Sequence, residues 1–171
     1  MKRLIIIICM AFIAVPLMAK SFSVGGINVT IDLPSEYNQF FDHGQSVGFT
    51  NHNANLLIIL ARTSSDPLSD KYSWEKNING VVKELFSYNG YNSLSSQYKS
   101  SETINGVEVK RFTSKMDCST NSWLVRIAVF PVKQNTFLIA VSAVDTTNQS
   151  YYDLDKFENQ GELLLYRIHL N

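Results

Sequence analysis

Two cysteines in 171 residues, Cys9 and Cys118, are too few to staple a fold. Exported domains with a poor core depend on several disulfides, so stability here has to come from burial. Histidine is equally scarce. His43, His52 and His169 are scattered and lack the close spacing of zinc ligands. No charge of either sign dominates, since 15 Lys and Arg balance 15 Asp and Glu. A nucleic-acid partner needs a basic footprint to release counterions from phosphates, so none is expected here. The chain has no G-x-S-x-G elbow for a serine nucleophile. Gly25-Gly26 runs into a strand pattern and not a helix, so no row of helix N-terminal amides is offered to an anion. The segment "DLDKFENQGE" supplies Asp153, Asp155, Glu158 and Glu162 but lacks the glycine at the sixth place of a calcium loop. Those acids suit the first turns of a helix, where its dipole favours negative charge. Nor does any carboxylate pair stand out for sugar cleavage. No catalytic set, metal or cofactor is expected.

Long apolar runs are also rare, and the longest stands at the start. Lys2 and Arg3 precede about fifteen apolar residues, Leu4 to Met18, and Ala19 follows. A membrane-spanning helix needs roughly 20 residues, whereas a basic start, a short apolar core and a small residue describe a secretory signal peptide. Residues 1–19 are therefore expected to be removed after Ala19, with Ser21 as the alternative site because Leu17 is bulky. Cys9 lies inside the apolar core, which rules out a lipidated terminus. Losing Lys2 and Arg3 takes the 15 basic residues to 13 against 15 acidic ones, a net charge of −2. Residues 20–171 are of one-domain length, with no stable membrane span and a periplasmic or secreted address.

Within that domain, "SFSVGGINVTIDLP" reads as a hairpin turning at Gly25-Gly26, with Val29, Ile31 and Leu33 on one face and Pro34 ending the strand. "SEYNQFFDHGQS" reads as a loop or a single helical turn. Two strands flank the Asn-rich "TNHNAN", and Leu56 to Leu60, apolar throughout, belong in the middle of a sheet. Trp74, Ile78, Val81, Val82, Leu85 and Phe86 repeat at helical spacing. Ser73 would cap that helix and Asn89-Gly90 would stop it. Gly80, costly inside a helix, suggests the close approach of another backbone. Four strands follow, the first polar and near an edge, the second starting at the Asn105-Gly106 turn. In the last of them Phe137, Ile139, Val141 and Ala143 face one way, and Leu138, Ala140 and Val144 the other. A helix with Leu154, Phe157, Gly161, Leu164, Leu165 and Ile168 on one stripe closes the chain. The expected class is α+β, a mostly antiparallel sheet of six to seven strands flanked by two main helices.

This layout resembles the PsbP-like and DcrB-like group of exported domains. The resemblance rests on "FSVGGINVTIDLPSEY", the "SWEKNINGVVKELF" helix, the "INGVEVKRF" hairpin, two long apolar strands and the "LLLYRIHLN" terminus. It implies an α-β-α sandwich and a non-catalytic accessory or binding role, with no shared catalytic residues to transfer.

Two stretches hold candidate site residues. In "SKMDCSTNSW", Cys118 reads as a free thiol exposed in a turn. Asp117 beside it would raise its pKa, where a nucleophile needs it lowered. In "YNQFFDHGQ", Tyr37, Phe40, Phe41 and His43 form a candidate binding surface, because aromatic rings bring large contact area at low entropic cost. The same rings would serve equally as a small core beneath the loop. The leading expectation is a non-enzymatic domain that binds another envelope or secreted protein, of undefined oligomeric state. An immunity or inhibitor protein against an exported toxin is the alternative, and a hydrolase using Cys118 or a serine is the third.

Overall fold

The computed structural model describes residues 17–171 except 52, 54, 65, 68–73, 86–90, 119 and 148–150. The first sixteen residues of the expected signal peptide, the Ser73 cap, Phe86 and the Asn89-Gly90 stop thus lie outside the described residues. Strand β1 (Leu17–Val24) and β2 (Ile27–Pro34) form the expected hairpin. Gly25 and Gly26 take φ of +56° and +81°, angles that cost glycine nothing. Val29, Ile31 and Leu33 point inward and are fully buried.

The hairpin does not join the main sheet. It forms a separate sheet of three strands, completed by β10 (Ile168–Leu170), which pairs antiparallel with β2. The chain therefore closes on a strand and not on a helix: helix α2 ends at Tyr166 (Tyr151–Tyr166). Ile168 fits a helical stripe, but it also fits the free edge of β2, where it lies opposite Ile31. Asn105 stabilises that exit. Its side-chain amide donates to the carbonyls of Tyr166, at 3.0 Å, and Ile168, at 2.6 Å, answering a helix-terminal carbonyl that has no partner within the helix.

The main sheet has seven strands, β3 (Asn38–Asp42), β4 (Ser46–Thr50), β5 (Leu56–Thr63), β6 (Tyr91–Ile104), β7 (Val107–Cys118), β8 (Ser122–Lys133) and β9 (Thr136–Asp145). Their order is β3-β4-β5-β9-β8-β7-β6 and every pairing is antiparallel. β3 corrects the expectation of a loop or helical turn. Aromatic residues favour extended backbone where they can pack on a neighbouring strand, and a bulge between Gln39 and Phe41 fits the segment to β4. Polar β6 is the opposite edge, as its composition suggested, and β9 is the central strand.

The alternation along β9 divides the core in two. Leu138, Ala140 and Val144 join a cluster with Ile31, Leu33, Leu164 and Leu165. Ile139, Val141 and Ala143 join the other, with Ile78 and Val82 of helix α1 (Trp74–Leu85). A buried chain of hydroxyls ties α1 to the sheet: Ser96 donates to Asn79 Oδ1, and Ser114 to Ser96, each at 2.5 Å. Gly80 is exposed, with open space where a side chain would be, so the expected close approach is not made there. It is made at Gly161 of α2, where an added Cβ would lie 2.7 Å from Ser142 Oγ and 3.3 Å from Val144 Cγ2.

Two outcomes are expected. Val141→Asp places an unpaired charge at a position 0% exposed, a penalty of several kcal/mol against a total stability of about 5–15 kcal/mol. Circular dichroism should find that variant unfolded or without a cooperative melt. Gly161→Val should fold but lose about 1–3 kcal/mol to overpacking, read as a Tm lowered by roughly 2–4 °C per kcal/mol.

Candidate functional site

β6, β7 and β8 present one face to the side of the sheet that carries α2. The strand register sets that face out in rows. Ser95, Lys115 and Leu124 lie abreast, then Gln97, Thr113 and Arg126, then Ser100, Arg111 and Ala128. α2 lies against β9, β5 and β8, and its Glu162 stands at the inner margin of this face.

Glu162 divides its carboxylate between two arginines. Arg111 Nη2 reaches Oε1 at 2.5 Å and Arg126 Nε reaches Oε2 at 2.7 Å. Arg111 also pairs with Glu102, whose other oxygen accepts the Tyr166 hydroxyl at 2.7 Å, and its guanidinium lies 5.4 Å from the Tyr166 ring centre. Burial alone would pull the Arg111 pKa down, but Glu162 and Glu102 outweigh it and hold it above the ordinary value. The hydrogen bond to Glu102 and burial together push Tyr166 up. This network fastens α2 to β7 and β8 and walls one side of a trough.

The trough consists of two adjoining depressions. One, of about 250 Å³, is lined by Ser95, Gln97, Lys99, Thr113, Lys115, Leu124 and Arg126. The other, of about 260 Å³, shares Lys99, Thr113 and Arg126 and continues to Arg111 and Glu162. Lys99 is the extra residue of a bulge in β6 between Tyr98 and Ser100. A metal-holding group of three or more His, Cys, Asp or Glu residues is absent among the described residues.

The residues singled out in the sequence lie elsewhere. Tyr37 is 3% exposed and belongs to the core cluster with Ile31 and Leu33, so it is not part of a common surface with its neighbours. Burial pushes its hydroxyl pKa well up. Phe40 is 49% exposed. Phe41, half-buried, packs on the α1 side of the core, with His43 stacked on it at 5.3 Å. The bulge in β3 sends both phenylalanine rings over Gly48, where any side chain would collide with them. Cys118 is a free thiol, but the expectation of exposure fails. It is the last residue of β7, 8% exposed, in the core cluster with Met116 and Trp123. The turn begins after it, and its N–H donates to the carbonyl of Asn121 at 2.7 Å. Burial, Asp117 and Asp145 all raise its pKa. Neither arginine of the trough was foreseen. Arg126 carried a signal, a single charge inside the apolar run "WLVRIAVF", because arginine is rarely buried unless it is paired; Arg111, beside Lys110 in "VEVKRFTSK", carried none.

Searches for a matching family model and for a similar curated protein find none. Solved structures do match. A point mutant of the protein Mog1 superposes with a TM-score of 0.57 at 12% identity, covering 90% of this chain and 96% of that one. Cyanobacterial PsbP (CyanoP) from Synechocystis sp. PCC 6803 gives 0.56 at 11%, covering 95% and 97%. The chain has a PsbP/Mog1-like fold. LpqN of Mycobacterium tuberculosis, at 0.50 and 12% identity, covers 91% of each chain. Similarity at these identities concerns the fold alone, and the trough is a property of this chain's own side chains.

Two measurements check this geometry. Glu162→Gln removes the carboxylate shared by Arg111 and Arg126. Charged hydrogen bonds are worth about 1.5–3 kcal/mol, reduced here by solvent around the one-third-exposed carboxylate, so chemical denaturation should find a loss of about 1–2 kcal/mol. Cys118 should react slowly with a thiol reagent at neutral pH in the native protein and rapidly in urea. Its folded pKa is raised, so its contribution to stability is full below the unfolded value of about 9. That contribution declines as pH climbs through the higher folded value, and Cys118→Ala should flatten the decline in denaturation curves.

Proposed function

We propose that this chain is an exported, non-enzymatic binding domain of the bacterial periplasm or exterior, released from residues 1–19 and acting on another envelope or secreted component. The observation that carries the binding role is the trough. Edge strand β6 and interior strand β7 leave part of this face to solvent, lined by cations, hydroxyls and an amide, although the buried apolar residues of β8 lie immediately beside it. Export is supported by the basic start and short apolar run. Removal of Leu17 to Ala19 is compatible with the fold, because these residues are exposed at the end of the hairpin and bury no core side chain. LpqN, with a similar fold, is described as involved in cell envelope biogenesis, which supports an envelope role without specifying one.

The layering is read as α-β-α. Ile78 and Val82 of α1 belong to one core cluster, and Leu164 and Leu165 of α2, beside the three-stranded sheet, to the other. A hydrolytic role for Cys118 is disfavoured by chemistry, since a buried thiol with a raised pKa holds little thiolate.

Expression of the full chain in a bacterial host, followed by fractionation, mass measurement and crosslinking, tests this reading. The expected result is a periplasmic or secreted protein beginning at Lys20, or at Phe22 for the alternative site, that crosslinks to an envelope component. A chain keeping residues 1–19 in the cytoplasm overturns export. Absence of any crosslinked component, together with turnover of a substrate, overturns the binding role.

A further inference from the structure

We infer that the trough over β6, β7 and β8 binds a phosphate group, held by Lys99, Lys115 and Arg126 with Ser95, Gln97 and Thr113 as hydrogen-bonding neighbours. The inference rests on the binding role proposed above and names the chemistry of its ligand. Its basis is a local charge imbalance in a chain with none overall. The two depressions are lined by Lys99, Lys115, Arg111 and Arg126 against Glu102 and Glu162. Both carboxylates are committed to the arginines. Lys99 and Lys115 have no ion-pair partner among the described residues and face a third cation, Arg126, across one depression.

Beyond the ion-paired arginines, Lys99 and Lys115 leave the trough with an excess of positive charge among the described residues, and an anion between them offsets their repulsion. An edge strand often carries lysine to discourage pairing with other chains, which is reason enough for Lys99 on β6. Lys115 and Arg126 stand on interior strands, where that explanation fails. Lysine acts on phosphate as a mobile point charge with three donors. The hydroxyls of Ser95 and Thr113 and the Gln97 amide add donors and acceptors for oxygens near the phosphorus. Each depression falls below the roughly 300 Å³ at which drug-sized sites begin, which fits a phosphate and a small attached group.

The test is an amide-resolved NMR titration of the mature chain, residues 20–171, with inorganic phosphate, glucose 6-phosphate, glucose, and vesicles of phosphatidylglycerol or phosphatidylcholine. Saturable shifts centred on Ser95, Gln97, Thr113, Lys115 and Arg126 are expected with phosphate and not with glucose. They should weaken about tenfold in the double variant Lys99→Gln, Lys115→Gln, and also as salt shortens the Debye length from about 30 to 10 Å. Tighter binding of glucose 6-phosphate than of phosphate identifies a soluble phosphoester, and binding to phosphatidylglycerol vesicles alone identifies a lipid headgroup. Either supports the inference. Shifts that are absent, lie elsewhere or persist undiminished in the double variant overturn it. The exposed lysine positions make misfolding a minor concern, and an unchanged melt of the variant removes it. Crosslinking to the envelope component separates the two readings. If capture survives while phosphate fails to bind, this inference falls alone. If phosphate binds, nothing is captured and a substrate is turned over, the non-enzymatic binding role falls instead.

Discussion

A strand whose side chains are apolar on both faces has to be covered on both, and β9 is that strand. Its odd-numbered residues bury against Ile78 and Val82 of α1, and its even-numbered ones lie on the side of Leu164 and Leu165 of α2. The approach on that second side is close because residue 161 has no side chain. Ser142 Oγ lies under it, buried and without a hydrogen-bond partner in the structure. An unmet hydroxyl in such a place costs about 1–3 kcal/mol. The packing of Leu164 and Leu165 of α2 into the core lies on the other side of that balance.

The position of α2 then decides where the sheet stays wet. One helix and a three-stranded sheet cannot cover a seven-stranded face. α2 is drawn toward β9, β5 and β8, where the apolar side chains are, and the β6 side of the same face remains polar. Arg111 sits at the boundary, 4% exposed. A guanidinium that far from water requires charged partners, and it takes one from β6, Glu102, and one from α2, Glu162. The ion network is thus a consequence of where the helix stops, and the trough is bounded by that same stop.

Periodicity made legible whatever depends on a face being buried. The split of β9 into two sets and the α1 stripe at Ile78 and Val82 follow from alternation and helical spacing, while the Gly25-Gly26 hairpin follows from its turn residues, and the middle placement of Leu56 to Leu60 and the polar edge β6 from composition. Segments whose state depends on a distant neighbour were not legible. Asn38 to Asp42 extends because β4 offers an edge. Ile168 to Leu170 leaves the helix because β2 offers another. A second sheet cannot be inferred from hairpin-length links alone, since such links fix who pairs locally and not where the pair packs. Cys118 shows the same limit: the sequence marks the turn at "DCSTN", residues 117 to 121, but Asp117 and Cys118 still belong to β7, and that difference decides whether the thiol is wet or buried. The arginines of the trough were hidden differently. Arg126 is one charge among apolar neighbours and Arg111 one of several charges in a mixed strand, and only the fold brings Glu162 of α2 to both.

Asn105 links these local and distant effects. Together with Gly106 it forms the tight turn between β6 and β7, with φ of +48° and +83°, a geometry that asparagine tolerates better than most residues. Its side chain is then free to reach the end of α2, bonding the carbonyls on either side of Arg167. The same turn that sets the register of the long hairpin therefore anchors the exit of the helix and the start of β10. Glu102 lies three residues before Asn105, and Tyr166, which donates to Glu102, is the last residue of α2. The turn, the helix terminus and the arginine network form one connected patch, so the walls of the trough are set by a backbone feature encoded locally. A site built across β6, β7 and β8 and fixed at its margin in this way is held open before any ligand arrives, and preorganisation of that kind lowers the entropic cost of binding.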